Sequence, residues 1–347
     1  MNPYFNPIQK NDQEPLMGEF WKQKSVLVTG AGGFIGSFLV ESLVQRGAHV
    51  AAFVRYNSRR DLGLLRLLDP DLLWSIRIIQ GDLCDLAALM EAFKDVEFVF
   101  HLGALISIPY SYIHPDEVVN SNVIGTLNVL QACRETGVSR LVHTSSSEVY
   151  GTAISVPIDE NHPLQGQSPY SASKIGADKL VESFYASYGV PAVTVRPFNT
   201  YGPRQSTRAV IPAIITQALI GSVIKLGNME AVRDFTYITD TVDGLLISAE
   251  KSGVEGTTIN LGTGQAVSIA ELANSIGEII GKPLEILVEP ERLRPEKSEV
   301  QRLVSDNKLA FELLNWRPKV SLENGLPKTI TWYRENPNFY QSKQNIV

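Results

Sequence analysis

From Ser25 onward the chain alternates short β-rich apolar runs with stretches of helical periodicity. Six runs read as strands: Ser25–Thr29, His49–Arg55, Ile76–Gln80, Phe98–Leu102, Arg140–Ser145 and Ala192–Pro197. Apolar positions at helical spacing occupy Phe34–Arg46, Leu86–Phe93, Glu117–Thr136 and Ser171–Tyr188. Strand–helix alternation of this kind predicts an α/β fold, a doubly wound parallel sheet with helices on both faces. After Pro203 the rhythm changes. Val210–Ile220 and Ile269–Ile280 read as helices and Ile286–Val288 as a short strand, as expected of a smaller α/β lobe. Asp234–Ser248 and Thr257–Leu261 read as elements returning to the first sheet. The expected organisation is a sheet domain over 22–202 joined by about 234–262, a smaller lobe over 203–233 and 263–335, and an N-terminal arm over 1–21.

At 347 residues the chain exceeds a single ordinary core, and 44% hydrophobic content supplies ample material to bury. A net charge of −6 leaves no basic face, which argues against nucleic acid or an anionic membrane as partner. No apolar run reaches the roughly 18 residues that span a bilayer, and Met1 to Phe20 is too polar for a signal peptide. Cys84 and Cys133 show no CxxC spacing, so a reduced, cytoplasmic setting is expected, with both thiols as small apolar fillers. The five histidines have no metal-ligand spacing, and no metal is expected.

Chemistry enters with Leu27-Val28-Thr29-Gly30-Ala31-Gly32-Gly33-Phe34-Ile35-Gly36. A strand runs into Gly30, Gly33 and Gly36 and then into a helix. Residues without a Cβ let backbone N–H groups and the positive helix end approach a pyrophosphate, which points to a dinucleotide site.

Tyr170 and Lys174 stand four apart at a helix start, after Ser168-Pro169. Four residues turn about 400°, so the two side chains share a face. An ammonium beside a phenol stabilises phenolate, and a fall of roughly three units from about 10 would poise the tyrosine near neutrality. Upstream, the strand ending at Thr144 leads into Ser145-Ser146-Ser147-Glu148-Val149-Tyr150-Gly151. In a doubly wound sheet the carboxyl ends of strands face the ligand crevice, so these hydroxyls and this carboxylate suit a substrate alcohol.

Thr29 to Gly36, the hydroxyl-rich strand end, Tyr170-x-x-x-Lys174 and Arg196-Pro197-Phe198-Asn199-Thr200-Tyr201-Gly202-Pro203-Arg204 together resemble the extended short-chain dehydrogenase/reductase superfamily. The resemblance runs from about Lys24 to Tyr333. It implies a Rossmann sheet, a tightly bound and recycled NAD or NADP, a nucleotide-diphosphate sugar as substrate, and a homodimer built on the two long helices. By that resemblance Ser146 holds the sugar O4, Tyr170 acts as acid and base, and Lys174 binds the nicotinamide ribose. Asn199 would contact the sugar or diphosphate, Arg233 a phosphate, and Arg294 or Arg302 the nucleotide, with a surface ion pair as each arginine's alternative. Further cofactor contacts are implied at Phe34, Ile35, Asp82, Leu83, Leu102, Ala104 and Pro197, and further substrate contacts at Ser107, Arg208 and Val210.

Ser147-Glu148 bears on the reaction. Epimerases of this superfamily usually carry small apolar residues here. A dehydratase needs a carboxylate to take the C5 proton once C4 is a ketone, and Glu148 fits that role. Many dTDP-glucose 4,6-dehydratases have Asp-Glu, so Ser147 leaves the acid for the departing hydroxyl unassigned. GDP-mannose 4,6-dehydratases show the pattern found here, and UDP-glucuronate decarboxylases carry a similar Thr-Ser-Glu. A C4 epimerase, a decarboxylase and a non-catalytic NADP-binding redox sensor stay open as alternatives. At the second strand's end Val54-Arg55 replaces the ribose-binding acid of NAD-specific relatives, which favours NADP with NAD left open; stacking on adenine is Arg55's alternative role. Ala104–Tyr112, Ser168–Asp178 and Arg294–Val300 are similar to dehydratases of legionaminic-acid pathways, which act on nucleotide-linked N-acetylglucosamine, so GDP- or UDP-N-acetylglucosamine is the expected substrate.

Overall fold

The computed structural model describes residues 19–341 and centres on a seven-stranded sheet, all of it parallel. Its strands are β1 (Ser25–Thr29), β2 (His49–Arg55), β3 (Arg77–Gly81), β4 (Phe98–His101), β5 (Arg140–Thr144), β6 (Ala192–Pro197) and β7 (Thr258–Leu261). They lie in the order β3-β2-β1-β4-β5-β6-β7. Successive side chains of β1 part to opposite faces: Val26 and Val28 join one apolar cluster and Leu27 the other. Burial on both faces is why each strand reads as a β-rich run in the sequence.

The chain leaves β1 toward β2 on one side and comes back to β4 on the other. The order therefore reverses between β1 and β4, and a crevice opens at their carboxyl ends. Helix Phe34–Gln45 follows β1, and helix Pro169–Tyr188 connects β5 to β6. Ser168 caps the latter in a reciprocal capping box with Ser171, and Pro169 opens it, so it begins two residues before the expected start. The expected helix Glu117–Thr136 begins at Pro115 and widens into a π-helical turn over Asn120–Ile124. That turn presents Asn122, whose amide bonds both backbone groups of Leu105 (2.7 and 2.9 Å) and the Ser173 hydroxyl (2.9 Å).

Beyond the main sheet, Val223–Leu226 pairs in parallel with Glu285–Val288. Val232–Arg233 lies between Val267–Ser268 and Arg302–Leu303. The buried Asp234 carboxylate ties these segments together, accepting from Thr263 N (2.9 Å), Gly264 N (2.8 Å) and Ser305 N (3.2 Å). Helices Ile108–Ile113, Lys308–Leu314 and Leu322–Glu335 were not expected from the sequence.

Residues 1–18 of the expected arm lie outside the described residues. At its end Trp21 is fully buried against Phe98 and Phe100, its indole N–H bonded to Glu250. Of the two cysteines, Cys133 is buried as expected, whereas Cys84 is exposed in the turn after β3, its thiol donating to the Asn120 carbonyl at 3.4 Å. Among the described residues no helix is long and apolar enough to cross a membrane.

Backbone closeness rather than cavity filling governs the β1 turn. A Cβ on Gly36 would lie 2.3 Å from the Gly30 carbonyl oxygen, and one on Gly30 (φ +68°) would lie 2.7 Å from Gly103 N. Gly36→Ala is expected to cost about 1–3 kcal/mol by overpacking, read as a lowered urea midpoint. Gly221→Ala, with nothing nearer than Val223 N at 4.0 Å, should leave the midpoint in place.

Candidate active site

The carboxyl ends of β1, β4 and β5 supply the floor of the crevice. Gly33 is the N-cap of helix Phe34–Gln45 and has no side chain to satisfy the first-turn amides. Those N–H groups stay available to an anion, and the Gly30, Gly33 and Gly36 cradle fits an extended diphosphate. Thr29 closes the turn from below. Its hydroxyl accepts from Gly103 N–H (3.1 Å) and meets His101 Nδ1 at 2.7 Å. Thr126 donates its own proton to the Asn122 carbonyl (2.6 Å), so it accepts from His101 Nε2 at 3.0 Å. This fixes the tautomer: Nε2 carries the proton and Nδ1 accepts from Thr29. Burial, with His143 and Lys174 adding to it, holds the His101 pKa well below the ordinary histidine value. His101 is thus a neutral strut under the turn.

Tyr170 and Lys174 are both buried on one face of the Pro169–Tyr188 helix. Lys174 Nζ donates to the Thr144 carbonyl at the end of β5, at 2.8 Å. Burial lowers its pKa to about 8, against a restoring pull from Asp178. The phenol departs from the sequence expectation. Burial pushes Tyr170 up to about 12; the Ser146 hydroxyl draws it down, while the Glu148 and Asp178 charges raise it further. Lys174 is engaged with Thr144, and desolvation dominates the phenol, so it is held protonated instead of being poised near neutrality. Its response to Ser146 and Glu148 places all three groups in one crevice. Ser146 caps the short helical turn Ser147–Tyr150 by accepting from Glu148 N–H (3.2 Å), and Ser147 is buried.

Beneath this surface lies a polar network that sequence reasoning missed. Asp178 accepts from His143 Nε2 (3.2 Å), Ser145 Oγ (2.8 Å), and Arg196 Nε and Nη2 (3.1 and 2.9 Å). Arg196 also donates to the Tyr150 hydroxyl (2.9 Å), which donates to Asn260 Oδ1 (2.7 Å). Burial would raise the Asp178 pKa, but the hydrogen bond from His143 and the Arg196 and Lys174 charges hold it below the usual carboxylate value. The one available signal was the spacing of Asp178, a turn beyond Lys174 on the same helix face.

Glu148 faces the segment after Val288, where Arg294 Nη1 pairs with its Oε2 at 3.5 Å. Arg233 is buried beside them and pairs with Glu299 at 3.7 Å. Burial lowers the Arg233 pKa, and the Glu148 and Glu299 charges oppose that fall. Asn199 donates to the Asp234 carbonyl (3.4 Å), next to Arg233. Arg302 sits on the strand beside Val232, while Arg208 is exposed and precedes helix Val210–Ile220; neither arginine makes an ion pair among the described residues. Ser107 caps helix Ile108–Ile113. Leu102 and Ala104 follow β4, Pro197 ends β6, and Asp82 and Leu83 follow β3, all at the same sheet edge. Arg55, at the end of β2, is exposed and reaches Glu117 (3.2 Å) and Asp82 (4.0 Å).

Residues 27–329 match the family model described as GDP-mannose 4,6 dehydratase. The chain is 35% identical to a UDP-glucose 4-epimerase of Mycolicibacterium smegmatis over 315 residues, covering 89% of this chain and 98% of that protein. It is 32% identical to human dTDP-D-glucose 4,6-dehydratase over 334 residues, covering 93% and 94%. A crystal structure of the dTDP-glucose 4,6-dehydratase DesIV from Streptomyces venezuelae, with NAD and TYD bound, superposes with a TM-score of 0.80 at 29% identity, covering 92% of this chain and 99% of that one.

Lys174 is a charge kept in a dry place. Its folded pKa lies below its unfolded one, so the unfolded chain binds more protons between the two values. Stability should therefore rise with pH from about 8 toward the ordinary lysine range. Lys174→Met is expected to remove that slope and to raise stability at pH 7 by on the order of 2 kcal/mol, checked by urea denaturation at several pH values.

Proposed function

Because the chain belongs to the GDP-mannose 4,6-dehydratase-like family of the extended short-chain dehydrogenase/reductase superfamily, we propose that it is a nucleotide-sugar 4,6-dehydratase. The observation that carries this reading is the company of Glu148. A carboxylate shares the crevice of Ser146 and Tyr170 and lies against Arg294 and Arg233. Epimerisation at C4 needs no such base; elimination across C5 and C6 does.

Ser146 orients the sugar O4, and Tyr170, once ionised, takes its proton as C4 is oxidised. A nicotinamide held over the Gly30, Gly33 and Gly36 turn and by Lys174 would supply the hydride acceptor for C4 and the hydride donor for C6, with no net redox change. Glu148 takes the C5 proton, acidified by the C4 ketone, and returns it to C5 when hydride reaches C6; the hydroxide that leaves C6 departs as water with the proton released from O4. Lys174 would hold the nicotinamide ribose. Arg233 and Arg294 bind the diphosphate, with Asn199 between sugar and phosphate; Ser107, Arg208, Val210 and Arg302 complete the nucleotide side. The product is a 4-keto-6-deoxy sugar, and GDP- or UDP-N-acetylglucosamine is the proposed substrate.

The proposed cofactor is NADP in preference to NAD, supported by Arg55 at the end of β2. A 2′-phosphate there would have to draw the guanidinium from Glu117 and Asp82. A homodimer is supported by Val119, Ile124, Tyr185 and Tyr188, large apolar side chains left exposed along the two long helices. A second reading is favoured by one contact. The Arg294 guanidinium beside Glu148 would suit a C6 carboxylate, so a uronate decarboxylase is the alternative.

Incubation with GDP- and UDP-N-acetylglucosamine should give a product lighter by one water; unchanged mass with inverted C4 would mean epimerisation, and CO2 release from UDP-glucuronate would mean decarboxylation. Glu148→Gln should still oxidise C4 in a single turnover, seen as nicotinamide absorbance, yet lose elimination by about 100-fold or more. Arg55→Asp should move the kcat/KM preference toward NAD.

A further inference from the structure

Asp178 takes no part in the steps above, yet it is almost wholly buried and receives four hydrogen bonds, from His143, Ser145 and two nitrogens of Arg196. We infer that Asp178 is a positioning residue of the active site. Its carboxylate is the counter-charge of the Lys174 ammonium and, through Ser145, the anchor of the strand end that carries Ser146. The inference rests on the roles assigned above to Lys174 and Ser146.

The hydrogen-bond partner of Lys174 is a neutral carbonyl, Thr144 O. An ammonium in a dry site needs a negative charge as well. The groups facing it can be named element by element. Its own helix gives Tyr170, one turn before it, and Asp178, one turn after; β5 gives His143 and β4 gives His101, while Arg196 of β6 is turned onto Asp178. The phenol and both imidazoles are held neutral by burial. Of this set Asp178 alone supplies negative charge, from one helical turn away.

His143 reports the same charge. A carboxylate with these donors only accepts, so the proton of His143 sits on Nε2 and Nδ1 is left bare; that atom is buried without a partner. The fold tolerates an orphaned acceptor in order to give Asp178 another donor.

The second anchor is geometric. Ser145 donates to the carboxylate oxygen that Arg196 also holds, while its own N–H bonds Val195 O at 2.7 Å. Ser146, next in the chain, therefore projects from a backbone fixed on two sides.

The test needs a direct readout of Lys174 and a variant that folds. Asp178→Asn alone would leave Arg196 unpaired in the interior, so the informative chain is the double variant Asp178→Asn/Arg196→Gln, which removes both charges. In ¹³C-lysine-labelled protein, with the Lys174 signal assigned by its loss in Lys174→Met, the wild-type midpoint is expected near 8. In the double variant it should fall by one unit or more, and the alkaline limb of nicotinamide reduction should move to lower pH with it. Asp178→Glu should restore both. A midpoint unmoved in the double variant, whatever its melting temperature, would overturn the proposal and leave a merely structural ion pair. A shifted midpoint in a chain whose wild type turns over no nucleotide sugar would sink the function assigned above and leave the counter-charge role standing.

Discussion

The site depends on how closely three pieces of bare backbone approach one another at the carboxyl end of β1. The Gly30 carbonyl lies under Gly36, the Gly30 α-carbon lies against Leu102 and Gly103 beyond β4, and Gly32 lies against Gly63. None of these contacts has room for a Cβ. Their closeness brings β4's end beside β1's turn, so His101 can bridge Thr29 to Thr126 and brace the turn through neutral hydrogen bonds. It also aims an uncapped helix start into the crevice at the point where strand order reverses. A side chain at any of these glycines would separate elements that every later step needs in contact.

Closeness excludes water, and dryness sets the protonation states. At this sheet edge burial raises the Tyr170 phenol and lowers Lys174, driving both toward their neutral forms. A tyrosine–lysine pair read from spacing alone suggests a ready phenolate. In the folded chain the lysine is turned to Thr144, and the phenol keeps its proton. On the proposed mechanism, the positive charge of an oxidised nicotinamide beside the phenol would favour its ionised form.

Much of this architecture was legible because local pattern and tertiary environment agree. The ends of β1, β2 and β6 and of helices Val210–Ile220 and Ile269–Ile280 fall where the sequence places them, since each is bounded by a turn residue, a proline or a cap. The π-helical turn at Asn120–Ile124 was invisible, because one residue of extra winding barely disturbs apolar periodicity. Helix Leu322–Glu335 carries Pro327 in its interior and so breaks its own signal. Two-residue strands such as Val232–Arg233 and Arg302–Leu303 exist only through partners distant in sequence. Asp178 and Arg196 look like surface charges on a helix and a strand until the fold buries them together.

The same contrast divides cofactor side from substrate side. Most residues proposed for the cofactor side sit at the ends of strands of one sheet, so their placement follows from the order of elements. Those proposed for the substrate side come from Asn199, Arg233 and the segment around Arg294, brought together by Asp234 and by the Tyr112–Ser298 hydroxyl contact at 2.6 Å. Arg294 reaches across to Glu148, so the group that would take the C5 proton is held by a residue proposed for the nucleotide side. A diphosphate that engaged Arg294 would release Glu148 from that contact. The residues proposed for the substrate and for elimination thus meet at the Glu148–Arg294 pair, while those proposed for the cofactor stay with the sheet.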